Sequence, residues 1–273
     1  MSQSSPERIT AESEVPPEAS FPLPTAAVPT IGRPWLVAGL LLIAAGVAAA
    51  IGASWLSVGF GWPDVLDAPG GEALPTFSAS AAAVRTAFYL MLLSSLLLIP
   101  AAIYLESIVG GPLQPSARMV TVFGVLGGFS QILGWVRWPV TVPHLAAAYE
   151  AAKDEAAADA IAVSYDTLNR YAGGALGEHL GWLFQGLWGV GLAVLLLRVV
   201  GIPRWFAFTG LVLTLLWLPM VWGSGLFDIE WLAPVGSSIS VLWYFWLIAL
   251  GVLLMVRRVG ARDVAAESLA PQQ

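Results

Sequence analysis

The sequence predicts an all-α integral membrane bundle, and three observations carry that fold class. Apolar residues make up 58% of the 273 positions and charged residues 11%, against about a quarter charged in a soluble domain, and the mean hydropathy is +0.77. The apolar residues gather into runs of the length that a helix needs to cross a hydrocarbon core of ~30 Å, about 20 residues. Those runs are continuous rather than alternating, and a spanning helix satisfies its own backbone hydrogen bonds where an open strand cannot. With no cysteine in the chain, disulfide and Cys-based iron-sulfur or metal chemistry is excluded. A formal charge of -6 argues against a nucleic-acid partner.

Taken in order, residues 1–33 are rich in Ser, Pro and Glu, lack a hydrophobic period and end at Arg33-Pro34, so they predict a disordered tail. Glu7, Glu12, Glu14 and Glu18 precede the first apolar run, which is not how a signal peptide begins. Six apolar runs predict six spans at about residues 35–56, 88–105, 119–138, 178–197, 205–222 and 237–256. They form one transmembrane domain, residues 34–258, followed by a second tail, residues 259–273. Pro100 should kink the second span near its end, since its nitrogen donates no helical hydrogen bond. Between the third and fourth spans lies a helical loop, residues 139–174. Within it Ile161, Tyr165, Leu168 and Ala172 recur at helical spacing. They predict a helix lying over one mouth of the bundle as a cap, broken from the fourth span by Gly173-Gly174.

Basic residues near span ends are held on the cytoplasmic side. With the amino terminus inside, the inner segments hold Arg8, Arg33, Arg118, Arg198, Arg204, Arg257, Arg258 and Arg262, and the outer side only Arg85, Arg137, Lys153 and Arg170. Both termini are therefore expected in the cytoplasm of a multi-pass cell-membrane protein. Trp55, Trp62, Trp135, Trp138, Trp182, Trp222, Trp231, Trp243 and Trp246 are expected in the outer half, where an interfacial aromatic belt accounts for several of them.

Polarity is scarce in the spans, so its appearance where the third and fourth meet needs a cause. Arg137 closes one run and Glu178 opens the next, at matching depth if the two helices are antiparallel neighbours. Gln131 lies about 9 Å deeper on the third span and Gln185 about 10.5 Å deeper on the fourth, at 1.5 Å per residue. Two polar rungs follow, Arg137 with Glu178 and Gln131 with Gln185, each offsetting the cost of an unpaired polar group. Gly124 and Gly128, then Gly173, Gly177 and Gly181, recur at intervals of four, the spacing that lets membrane helices pack backbone to backbone. Structural glue explains the rungs more simply than a site does.

The two histidines, His144 and His179, both fall in outer segments, which disfavours a haem held by histidines within the bundle. His144, Glu178 and His179 are metal-ligand candidates, joined by Asp166. The simpler account has His179 bonded to a loop carbonyl and His144 exposed. No nucleophile elbow, HExxH or phosphate-binding loop is present.

The stretch Gly134-Trp-Val-Arg-Trp-Pro139, with Pro143-His144-Leu145, Tyr149, Tyr171-Ala-Gly-Gly174, Leu176-Gly-Glu-His-Leu-Gly181 and Leu187-Trp188, resembles the bacterial membrane proteins grouped as domain of unknown function 4386. That resemblance implies a polytopic membrane protein without an established activity and assigns no catalytic or ligand residue. Three functions are open. The first is a small transporter-like or accessory bundle with an outward-facing polar site built from Arg137, Glu178, His179, Gln131, Gln185 and His144. The second is an outer-leaflet enzyme using Glu178 as base with His179 or His144 as acid or metal ligand, a chemistry the sequence does not favour. The third is a purely structural or sensory bundle. The expected partner is the lipid bilayer, and six spans are few enough for a transporter to make a homo-oligomer plausible.

Overall fold

A computed structural model describes residues 33–110, 113–226 and 232–259. Of the expected tails, residues 1–32 and 260–273, with Arg8 and Arg262, lie outside the described residues, as do Asp228, Glu230 and Trp231. The described chain is all helix and turn: α1 Pro34–Gly59, α2 Gly70–Ala79, α3 Ala81–Val109, α4 Gln114–Trp135, α5 Arg137–Val140, α6 Val142–Glu150, α7 Glu155–Leu168, a π-helical segment Asn169–Leu180, α8 Gly181–Leu196, α9 Arg204–Leu226 and α10 Leu232–Arg257.

Five helical stretches are long and apolar enough to cross a membrane, Pro34–Gly59, Ala81–Val109, Gln114–Glu150, Glu155–Leu196 and Ser238–Arg257, with Arg204–Pro219 a shorter apolar helix among the described residues. The protein is thus an all-α, multi-pass bundle. The helix carrying the second span is longer than expected, starting at Ala81 and running through Pro100 without interruption to Val109.

Each of the six long helices packs against the next in chain order, α1 on α3, α3 on α4, α4 on α8, α8 on α9 and α9 on α10, and α10 returns to α1. The bundle is therefore a closed ring. Closure depends on small residues: a Cβ on Gly39 of α1 would stand 2.8 Å from the Gly251 carbonyl of α10, and one on Gly251 would stand 2.6 Å from the Gly39 carbonyl. Only glycine allows two backbones this near.

Two apolar cores fill the structure. One occupies the ring itself, with Leu42, Leu98, Leu105, Trp188, Leu192, Trp243 and Leu250 among its members. The other lies at the end where α2, α6 and α7 cover the bundle, and includes Leu56, Phe60, Phe77, Phe88, Trp135, Trp138 and Tyr165. The cap is assembled from α2 and α6 packing on α7. Ile161 and Tyr165 of α7 point into the second core as their spacing anticipates, and Asp154 caps α7 by accepting from the Ala157 N–H at 2.9 Å. Tyr171, just beyond α7, is 65% exposed.

The break expected at Gly173-Gly174 does not occur. Helical structure runs unbroken from Glu155 through Leu196, with a π segment between α7 and α8 whose wider turns include the bond from the Gly181 N–H to the Leu176 carbonyl. Glycine lowers helix stability but does not forbid helix, and packing against α4 holds this one. Two tryptophans also depart from expectation. Trp246 donates Nε1–H to the Phe206 carbonyl at 3.0 Å and stacks on Phe206, near the start of α9 and away from the cap. Trp243 belongs to the ring core. The belt reading suits Trp55, which is more than half exposed.

Candidate functional site

Where α4 meets the π segment, glycine sets the register. A Cβ on Gly134 would stand 2.6 Å from the Gly177 Cα, one on Gly181 2.8 Å from Gln131 Cγ, and one on Gly127 2.9 Å from the Gln185 nitrogen. A Cβ on Gly173 would fall inside the Arg137 guanidinium. The stripe Gly173, Gly177, Gly181 therefore faces Arg137, Gly134 and Gln131 in antiparallel order. This register is offset by about one helical turn from the equal-depth pairing, because backbone contact at Gly134 and Gly177 decides it and the matching of polar depths does not.

That offset changes the partner of Arg137. The side chain is 3% exposed and forms no ion pair with Glu178; among the described residues the one ion pair is Arg118 with Glu106 at 3.5 Å. Its Nε and Nη2 instead donate to Asn169 Oδ1 at 3.1 and 2.9 Å, and Nη1 donates to the Gly134 carbonyl at 2.6 Å. Glu178 is half-buried and stays within electrostatic reach of the guanidinium. Asn169 in turn donates Nδ2–H to the Leu66 carbonyl at 2.6 Å. One asparagine thus joins the buried cation, the π segment and the loop after α1.

The next residue seals this site from the capped end. Trp138 is fully buried, stacks on Phe88 with centroids 4.6 Å apart, meets Phe60 and Tyr165 edge-on, and takes the Arg137 guanidinium over its ring at 5.4 Å. Cation–π contact stabilises a charge that water no longer reaches. The aromatic residues at the capped end are consequently a packed core. Asp166 completes the cap by accepting from the Gly70 N–H at 2.7 Å, at the amino end of α2, where a carboxylate suits the helix dipole.

Deeper in the bundle the second expected rung does form. Gln131 donates Nε2–H to Gln185 Oε1, and each side chain is 3% exposed. The amide pair tolerates the offset register because glutamine side chains reach across a turn. It also belongs to a longer line: Ser95 of α3 donates to Gln131 Oε1 at 3.0 Å, and Gln185 Nε2 donates to the Tyr244 hydroxyl of α10 at 3.4 Å. Four helices are crossed by this polar line. On α3 it separates Met91 of the capped core from Leu98 of the ring core, and on α4 it separates Trp135 from Val120.

The structure therefore brings Gln131 and Gln185 together, places Arg137 at the start of α5, about 9 Å from Gln131 at 1.5 Å per residue, and leaves Glu178 and His179 half-buried beside that axis. His144 is exposed on α6. Among the described residues no three His, Asp or Glu side chains gather as a metal would require. Asn169, Ser95 and Tyr244 were missed by sequence reading. Asn169 had one available signal, since it stands four residues from both Tyr165 and Gly173 on the inward face, where an asparagine has no local reason to sit.

A family model described as domain of unknown function (DUF4386) matches residues 37–251. No curated protein and no solved structure matches the chain.

Proposed function

The chain belongs to the family described as domain of unknown function 4386, and from that premise we propose a small transporter-like or accessory membrane bundle whose polar site faces outward beneath the cap. The observation that carries this reading is the line Ser95–Gln131–Gln185–Tyr244 with Arg137 above it, a set of hydrogen-bonding groups placed between two apolar cores. Amides and hydroxyls at that depth suit a small polar solute that exchanges its hydrogen bonds for theirs. The cap closes the site in this conformation, so entry requires α7 and the π segment to move. The arginine bias supports both termini in the cytoplasm of a cell-membrane protein, and α9, 23 residues long, serves as the sixth crossing.

Uptake into liposomes containing the purified full chain tests the reading, using labelled amino acids, monocarboxylates and polyols as solutes. Uptake above empty vesicles, lost in Gln185→Leu protein that remains folded, is the expected result. Absence of uptake for every solute by folded wild-type protein refutes it. A purely structural or sensory bundle is then the reading to keep, and one observation favours it already: Gln131 and Gln185 satisfy each other.

A further inference from the structure

We infer that the membrane face opposite the cap carries a docking site for an anionic phospholipid, with its phosphate in the groove at the turn between α8 and α9. An open groove of about 440 Å³ runs along this turn, and Arg198, Val199, Val200, Gly201 and Arg204 are among the residues that line it. Arg257, at the end of α10, donates Nη1–H to the Gly201 carbonyl at 3.1 Å. That bond ties the turn to α10 and engages a carbonyl oxygen that would otherwise repel an anion.

Charge complementarity selects the occupant. This face gathers Arg33, Arg118, Arg198, Arg204, Arg257 and Arg258, from the start of α1, the start of α4, the turn itself and the end of α10. Its one carboxylate among the described residues, Glu106, is engaged by Arg118 at 3.5 Å and by Gln114 Nε2 at 2.7 Å. Arg198, Arg204, Arg257 and Arg258 have no described carboxylate within ion-pair distance. The capped end is the reverse, with Asp64, Asp67, Glu72, Glu150, Asp154, Glu155 and Asp159 on its loops and helices. Guanidinium groups bind phosphate oxygens in pairs of parallel hydrogen bonds, and each basic residue near an anionic bilayer surface contributes ~1 kcal/mol.

Apolar exposure distinguishes a lipid from free phosphate. Val200 and Trp205 flank the arginines at 81% and 70% exposed, the pairing of apolar and basic groups expected at headgroup depth. From there Phe208, Val212 and Leu215 continue along α9 at helical spacing, all exposed, and give the acyl chains a surface to follow. A free phosphate would use the arginines and leave this stripe without a role.

Binding of short-chain phosphatidylglycerol to the purified full chain in detergent tests the assignment, with short-chain phosphatidylcholine and inorganic phosphate as comparison probes. Saturable binding of phosphatidylglycerol is expected, with at least tenfold weaker binding of phosphatidylcholine and no displacement by millimolar phosphate. The Arg198→Gln/Arg204→Gln protein should bind phosphatidylglycerol about 25-fold more weakly, at ~1 kcal/mol per arginine, while Arg85→Gln at the opposite end leaves affinity unchanged. Should the double variant fail to fold, each single variant should lose about fivefold. Equal affinity for the two lipids, or wild-type affinity in the arginine variants, overturns the proposal. Displacement by inorganic phosphate overturns the lipid in favour of a phosphate-ion site.

Discussion

Arg137 is a buried cation whose contacts are an amide, a carbonyl and an indole ring. Removing a partner from such a group leaves a charge that water cannot reach, which is far costlier than the bond was worth. Asn169→Ala should therefore destabilise the protein by about 2–4 kcal/mol in chemical unfolding in detergent. Glu178→Gln, which removes a charge not in contact, should cost about 1 kcal/mol or less. If the two effects come out in the opposite order, Glu178 is the true partner of the guanidinium. The amides deeper in the bundle behave as a pair. Gln131→Leu and Gln185→Leu should each cost about 1–2 kcal/mol, and the double variant less than both together, because it leaves no orphaned amide. Of this site, Arg137, Gln131 and Gln185 were legible in the sequence because polarity is rare in an apolar run. Asn169, Ser95 and Tyr244 were not, since Ser and Tyr are ordinary in spans and Asn169 falls on a cap helix whose apolar spacing gives a polar residue no partner across the bundle.

At the scale of the element, glycine decides more than polarity. The Gly173, Gly177 and Gly181 stripe was visible as spacing, but spacing alone does not say which residues on α4 it meets, and the equal-depth assumption misplaced it by a turn. The same stripe explains why the π segment persists where a helix break was expected: at Gly173 and Gly177 it has no Cβ atom to be crowded, and Gly134 seats against Gly177. Gly177→Ala should destabilise by about 1–3 kcal/mol, since its Cβ would lie 2.9 Å from the Gly134 Cα. Gly174→Ala, with nothing within 4 Å of the added carbon, should be neutral or stabilising by up to ~1 kcal/mol. Thermal unfolding of both variants checks this contrast, and equal losses would mean that the stripe does not face α4.

For the whole molecule, fold class and the approximate positions of the spans followed from hydropathy, because the bilayer imposes a length that the sequence must meet. Ring closure left no such mark, since no periodicity records which spans touch. Orientation is testable without background because the chain has no cysteine. Val58→Cys, 91% exposed at the capped end of α1, should react with a membrane-impermeant thiol reagent on intact cells, and Val200→Cys, 81% exposed at the opposite face, only after permeabilisation. The reverse pattern would invert the assignment. The meeting of α1 with α10 also bears on how the protein is made. A ribosome delivers the chain from its amino end, so the Gly39 face of α1 enters the bilayer long before Gly251 is synthesised. Until then it has only lipid or a chaperone to cover it. Contacts so distant in sequence form late and slowly, which makes the last helix the one that completes the native state and makes a truncated nascent chain an open arc, exposed to insertase and protease alike.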